Sequence, residues 1–103
     1  MASSAAPLAH PPASPRPGAP LLPSGLVAFV KRECPTCELV APVLRELAAR
    51  AALTVYTQDD LAFPEGVAVA DDRELSVSWH HRIEAVPTLV RVEDGIESAR
   101  AVG

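Results

Sequence analysis

Residues 25–44, GLVAFVKRECPTCELVAPVL, decide the fold of this chain. The run GLVAFV at residues 25–30 is almost continuously apolar, which is typical of a strand buried on both faces of a sheet. After CPTC at residues 34–37, apolar side chains recur at helical spacing and charged side chains take the opposite face. The stretch therefore predicts a buried strand followed by an amphipathic helix, in which Pro42 should produce a kink.

Further along the chain, β-branched and aromatic residues predict more strands, and a second amphipathic stretch predicts another helix. The predicted strands are 53–57, 88–93 and 96–101, with a short edge piece at 67–69. Asp71-x-x-Glu74 resembles a capping box, so Asp71 should cap a helix that runs to about Arg82. Asp94-Gly95 is a strong signal for a hairpin between the last two strands. The order β-α-β-α-β-β from residue 25 predicts an α/β fold with a mixed sheet and helices packed on it.

The first 24 residues differ in composition from the rest of the chain. They are rich in proline and alanine, and Arg16 is the only residue of fixed charge among the first 25. This composition predicts a disordered leader over residues 1–24 and a folded domain over residues 25–103. The leader lacks the basic start and apolar stretch of a secretory signal, and one arginine is too few for a transit peptide. We therefore expect a cytoplasmic protein.

The overall composition excludes several classes of function. The chain has 103 residues, 49% of them hydrophobic and 21% charged, which suits a folded globular core. Its 9 lysines and arginines against 13 acidic residues disfavour binding to nucleic acid, which needs clustered positive charge. No apolar run approaches the roughly 20 residues that a membrane span requires. We expect neither nucleic acid nor a membrane among its partners.

The chemistry of the chain is expected at its two cysteines, Cys34 and Cys37. A Cys-x-x-Cys pair is either half of a zinc site or a dithiol that cycles to a disulfide. Zinc would need His80 and His81, and adjacent histidines on a helix point in different directions and seldom bind one metal together. Two buried structural thiols are the third interpretation. The position of the pair, after a buried strand and at the start of a helix, favours redox chemistry without a metal or other cofactor.

The two cysteines should have different roles. The unpaired amides and the positive end of the helix dipole stabilise a thiolate on Cys34, whereas Cys37 lies one turn further into the helix and should be more buried. We therefore expect Cys34 to attack a disulfide and Cys37 to resolve the mixed disulfide, with Pro35 and Thr36 forming the active-site loop.

These motifs are those of a known family. Residues 25–103 resemble the thioredoxin superfamily, because CPTC is followed by a helix proline at Pro42 and later by Val86-Pro87-Thr88 and an acidic-Gly hairpin. The resemblance implies a thioredoxin-like fold and thiol–disulfide oxidoreductase activity. It also implies a substrate-binding segment at Val86, Pro87 and Thr88. In that segment a cis Pro87 faces the disulfide, and Val86 offers its backbone amide and carbonyl to an extended substrate.

The sequence also departs from the family pattern. Ala28 stands where thioredoxins carry a buried aspartate, and Glu33 stands where a tryptophan precedes the motif. His81, six residues before Pro87, is a candidate proton shuttle in place of that acid, or else a helix-end histidine that interacts with the dipole. The family's closing helix has no counterpart before Gly103, so we expect the domain to be truncated at its C-terminus.

The leading hypothesis is a thiol–disulfide oxidoreductase that serves cell redox homeostasis in the reducing direction. Its partners would be protein or small-molecule disulfides and a reductant that the sequence does not identify. The alternative is a non-catalytic thioredoxin-like module that binds or docks a partner, which Ala28 and the missing helix favour. Trp79, on the predicted inner stripe of the second helix, is expected in the core.

Overall fold

One mixed six-stranded sheet organises residues 8–103, the part of the chain that the computed structural model describes. Its strands are β1 (Leu8–His10), β2 (Gly25–Val30), β3 (Leu53–Thr57), β4 (Val69–Asp71), β5 (Thr88–Glu93) and β6 (Ile96–Val102), and its helices are α1 (Pro35–Arg50) and α2 (Ser76–His80). The strands lie in the order β1-β6-β5-β2-β3-β4. From residue 25 onward this is the predicted α/β arrangement, with β4 as the short strand at one edge.

Strand β2 lies inside the sheet, and this position explains why its sequence is almost continuously apolar. It pairs in parallel with β3 and antiparallel with β5. The parallel pairing requires a crossover connection, and α1 provides it. Because side chains alternate along a strand, Val27 and Phe29 point to one face while Ala28 and Val30 point to the other. All four are at most 2% exposed, so the prediction of a strand buried on both faces is confirmed.

The two faces of the sheet carry separate apolar cores. The core beneath α1 contains Ala28, Val30, Cys37, Ala41, Leu44, Val55 and Phe63. The core on the other face contains Leu22, Val27, Phe29, Val90 and Val92, with Tyr56, Val77 and Ile83 packed against it. The first core therefore fixes the helix that carries the cysteines, and the second fixes the region around α2.

The predicted disordered leader is corrected for residues 8–24, which are ordered against the domain. Strand β1 pairs antiparallel with β6, and Leu22 is buried in the second core at 6% exposure. The Glu97 carboxylate accepts a hydrogen bond from the amide of Ala13 at 3.1 Å. Composition misjudged this segment because a few well-placed anchors are enough to hold a proline-rich chain, whose backbone loses little entropy on ordering. The prediction for residues 1–7 lies outside the described residues.

Helix α2 is shorter than predicted and is capped by a different aspartate. Its first residue is Ser76, preceded by Leu75 in a left-handed conformation at φ 66°. The carboxylate of Asp72, rather than that of Asp71, accepts hydrogen bonds from the amides of Val77 and Ser78, both at 2.9 Å. The Ser78 hydroxyl adds a third at 2.6 Å. Asp71 lies at the end of β4 and bonds Arg73 instead, so β4 pairing decides which carboxylate reaches the helix.

The prediction that Trp79 lies in the core is wrong. Its side chain is 60% exposed, while Ser78 beside it is buried at 3%. The start at Ser76 sets the rotation of the helix, and the bond to Asp72 then turns Ser78 inward.

The last two strands form the predicted hairpin. Asp94 and Gly95 join β5 to β6 with φ values of 54° and 79°. Both residues occupy the left-handed region, which a two-residue turn of this kind demands and which aspartate and glycine tolerate.

An apolar groove lies between α1 and the strands β5 and β6. It is lined by Ala28, Val30, Val40, Val43, Leu44, Leu47, Pro87, Thr88, Leu89, Ala101 and Gly103. Within residues 8–103 no helix follows β6, and none of the helices described there is long and apolar enough to cross a membrane.

Candidate active site

Cys34 and Cys37 lie at the start of α1, directly after the buried strand β2. Cys34 is the N-cap residue, with extended backbone at φ −156° and ψ 105°. Its sulfur accepts a hydrogen bond from the amide of Cys37 at 3.2 Å. The sulfur thus gives a partner to one of the amide groups that a helix start leaves unpaired. The same amide directs partial positive charge at the sulfur. Both cysteines are free thiols.

The two thiols differ in burial. Cys34 is partly exposed, whereas Cys37 has no exposed surface and packs in the core beneath α1. Burial, and then the hydrogen bond with Cys34, raise the pKa of the Cys37 thiol to about 12. The thiol that attacks the substrate must be accessible, whereas the thiol that attacks second can be buried. The exposure of the two sulfurs therefore fits an attack by Cys34 first and by Cys37 second.

The segment at residues 86–88 leads into β5, the strand next to β2, and faces Cys34. The Cys34 thiol contacts the backbone carbonyl of Val86 at 3.6 Å, and the Val86–Pro87 peptide is cis. Thr88 is buried at 2%, and its hydroxyl donates to the carbonyl of Ala85 at 2.6 Å. Val86 is therefore the residue of this segment that meets the cleft, Pro87 is buried at the edge of the apolar groove, and Thr88 holds the turn in shape.

The cleft beside Cys34 has a volume of about 570 Å³, enough for a ligand the size of a few residues. One side is formed by Lys31, Glu33, Cys34 and Pro35, and the other by α2 with the segment before β5. Pro35 lines the cleft, and Thr36 is exposed in the first turn of α1. The two predicted loop residues thus lie at the surface beside the reactive sulfur.

Asp59 is a site residue that sequence reasoning missed. Its two carboxylate oxygens accept hydrogen bonds from the amides of Arg32 and Glu33, at 2.7 and 3.0 Å. The Arg32 side chain is in turn paired with Asp60. These carboxylates hold Arg32 and Glu33, the two residues directly before Cys34. The signal was available: the acidic pair follows β3, and parallel strands bring their carboxyl ends to the same edge.

Comparison with known proteins agrees with this geometry. The chain is 30% identical over 78 residues to thioredoxin H-type 1 of tobacco (Nicotiana tabacum), a match that covers 76% of the chain. The sequence match and the fold therefore both make this a thioredoxin-like chain. It spans about half the length of that relative, 54% of it. No protein-family model matches the chain. The thioredoxin-like fold and the close pair of cysteines together support a redox role.

This thioredoxin-like site has no carboxylate at the position of the family's buried acid. Ala28 is 2% exposed and packs in the same core as Cys37. Glu33, in place of the family's tryptophan, lines the cleft with an exposed side chain.

His81 does not join the cysteines in this thioredoxin-like domain. It is buried at 8%, and its Nε2 bonds the carbonyl of Pro20 at 2.7 Å. It lines a different cavity, with Leu22 and Val92, on the other side of the sheet from α1. The ring of His80 bonds the carbonyl of Ser76 at 2.8 Å. Among residues 8–103 no cluster of three or more Cys, His, Asp or Glu side chains is arranged to hold a metal.

Proposed function

We propose that this protein is a thiol–disulfide oxidoreductase that reduces disulfides with the dithiol of Cys34 and Cys37. The observation that carries the proposal is the asymmetry of the pair: a partly exposed sulfur at a helix start accepts the amide hydrogen of a fully buried partner one turn away. Chemistry of this kind requires no metal or organic cofactor, since the two sulfurs hold the two electrons that are exchanged.

The reaction proceeds in two exchanges. The Cys34 thiolate attacks one sulfur of the substrate disulfide, and the other substrate sulfur leaves as a thiolate and takes up a proton. Cys37 then loses its proton and attacks the Cys34 sulfur of the mixed disulfide. This second exchange forms the Cys34–Cys37 disulfide and releases the second substrate thiol. Two electrons have passed from the protein dithiol to the substrate, and an external thiol or dithiol reductant must restore the starting state.

The surroundings of Cys34 and the similarity to a thioredoxin both support protein disulfides as the general class of substrate. The Val86 backbone, against which the Cys34 sulfur lies, is in position to pair with an extended segment of substrate. The reductive direction belongs in a compartment that keeps thiols reduced, and we propose the cytoplasm as that compartment.

Trapping variants test the assignment of roles. Cys37→Ser should accumulate the mixed disulfide with a substrate, because the attacking sulfur is present and the resolving sulfur is gone. Cys34→Ser should form almost none. Mass spectrometry under non-reducing conditions measures both species, and the opposite pattern would show that the roles are reversed.

A second candidate function is a binding or docking module without turnover. Ala28 favours it, since its methyl group, in the core that contains the buried Cys37 thiol, cannot accept the proton of that thiol. Titration of the wild-type dithiol in a glutathione redox buffer separates the two functions. An oxidoreductase gives a reversible midpoint and a Cys34–Cys37 disulfide at equilibrium, whereas a docking module gives neither.

A further inference from the structure

Helix α2 brings an exposed aromatic side chain to the cleft that contains Cys34. Trp79 and Leu75 line this cleft together with Ile83, Val86 and Cys34. Trp79 is 60% exposed and Leu75 is 47% exposed. Apolar surface of this size beside a reactive thiol contributes little to the fold, and a concave position makes it available to a ligand.

The N-terminal segment holds Trp79 in place. The guanidinium of Arg16 stacks on the indole at 3.7 Å from the ring centroid, and its Nε donates to the Trp79 carbonyl at 2.9 Å. The Arg16 amide also donates to the carbonyl of His80 at 2.7 Å. A cation over an aromatic face and two hydrogen bonds to the same turn restrict the ring. One face of the indole is covered by the guanidinium, and the side chain still keeps most of its surface exposed.

The charges around the cleft indicate which disulfides fit. Among residues 8–103, the charged side chains of its lining are Lys31, Glu33 and Glu84, and the Arg16 guanidinium adds a positive charge over the Trp79 ring. The charges in and beside the cleft therefore balance. Small anionic disulfides such as glutathione disulfide gain no electrostatic attraction here, whereas a neutral or basic segment meets no repulsion.

We infer that Trp79 determines substrate specificity: it binds a large apolar side chain next to the cysteine of a neutral or basic polypeptide disulfide, and Arg16 is the residue that positions it. The inference rests on the proposed function and names the substrate class. A rigid aromatic anchor binds with little loss of side-chain entropy, which is why an indole fixed in advance recognises better than a mobile one.

The test compares two short neutral peptides, each carrying its cysteine as a mixed disulfide with a chromophoric thiol. They differ only in having phenylalanine or glycine next to that cysteine. The wild-type protein should have a kcat/KM for the phenylalanine peptide about five- to tenfold above that for the glycine peptide, since an aromatic contact adds this much. The difference should lie mainly in KM. Trp79→Ala should bring the ratio close to one, and Trp79→Phe should restore part of it.

Arg16→Ala should lower the same ratio by about two- to fourfold, in keeping with the strength of a cation–π contact. Arg82→Ala is the matched control. Arg82 also ties the N-terminal segment to the domain, through its Nε and the carbonyl of Ser14 at 2.9 Å, but it is not part of the cleft lining. This variant should leave the ratio unchanged. A similar fall in both arginine variants would mean that the whole segment matters and not the contact with Trp79.

A second readout does not require turnover. Trp79 is the single tryptophan of the sequence, so its fluorescence reports on the cleft directly. A peptide with serine in place of cysteine should shift the emission in a saturable way when phenylalanine is present and much more weakly when glycine is present. Arg16→Ala should lower the emission anisotropy, because the ring becomes mobile.

The outcomes separate the inference from the proposed function. If the wild-type protein reduces both peptides with equal kcat/KM, or reduces glutathione disulfide faster than the phenylalanine peptide, the inference is overturned and the proposed function stands. If neither peptide is reduced but the serine peptide still shifts the emission, the proposed function fails and the recognition by Trp79 is supported.

Discussion

The second exchange reaction should be limited by the proton on Cys37. In the dithiol, burial and then the hydrogen bond with Cys34 raise the pKa of this thiol to about 12. The thiol stays in the same core when Cys34 forms the mixed disulfide, and Ala28 offers no group there that could accept the proton. At pH 7 a thiol with that pKa is ionised in about one molecule in 10⁵, against about one in 10² for a thiol of pKa 9.0. Because the thiolate is the nucleophile, the rate of resolution should rise about tenfold per pH unit throughout the neutral range, without a plateau.

Introducing an acid at position 28 should change this dependence. In Ala28→Asp a carboxylate stands in the core that contains Cys37 and can take the proton as the thiol attacks, so resolution at pH 7 should accelerate by roughly 10². The asparagine side chain of Ala28→Asn is nearly as large as that of aspartate but has no basic group. This variant should therefore resolve the mixed disulfide no faster than the wild-type protein.

The substitution should also lower stability. Burial raises the pKa of a carboxyl group above its value in the unfolded chain, so the folded state holds its proton more tightly. The unfolded state is then favoured increasingly as pH rises above the unfolded pKa, and at pH 7 we expect a loss of about 2–4 kcal/mol. Ala28→Asn should lose less, and its loss should not depend on pH in this range.

The assay is a single-turnover measurement. A mixed disulfide of Cys34 with a chromophoric thiol is formed at acidic pH, and release of the chromophore is followed by stopped-flow after a jump to each pH. A flat profile in the wild-type protein, or equal acceleration by aspartate and asparagine, would refute this account of proton transfer. His81→Gln should leave the profile unchanged, since the His81 ring bonds Pro20 on the other side of the sheet.

Three further predictions concern reactivity and stability. Iodoacetamide should label Cys34 well before Cys37, as peptide mass spectrometry at short times can measure, and equal rates would contradict the assigned roles. Glu97→Gln breaks the ion pair with Arg100, in which the arginine and glutamate side chains are 9% and 6% exposed, and should lower the free energy of unfolding in urea by about 2–3 kcal/mol. Glu46→Gln, in an exposed ion pair, should lower it by less than about 0.5 kcal/mol. Asp72→Ala removes the cap of α2 and should cost about 2–3 kcal/mol, with faster amide exchange in that helix; Asp72→Asn should cost clearly less.

Local sequence signals carried the parts of the fold whose causes are local. The apolar run of β2, the helical spacing after the cysteines and the Asp94-Gly95 turn each act through neighbours a few residues away. They predicted the order of elements from residue 25 and the position of Cys34 at a helix start. The Cys-x-x-Cys spacing also predicted that one thiol would be accessible and the other buried, because one helical turn separates them.

The tertiary structure decided what depends on distant partners. Proline-rich composition indicated disorder, yet residues 8–24 are ordered because Leu22 fills a core and β1 finds an edge at β6. Periodicity placed Trp79 in the core, but Asp72 caps α2 in a register that turns the indole outward, and Arg16, 63 residues away, then holds it. Such contacts have no signature in nearby sequence, since each is set by which surfaces the sheet brings together.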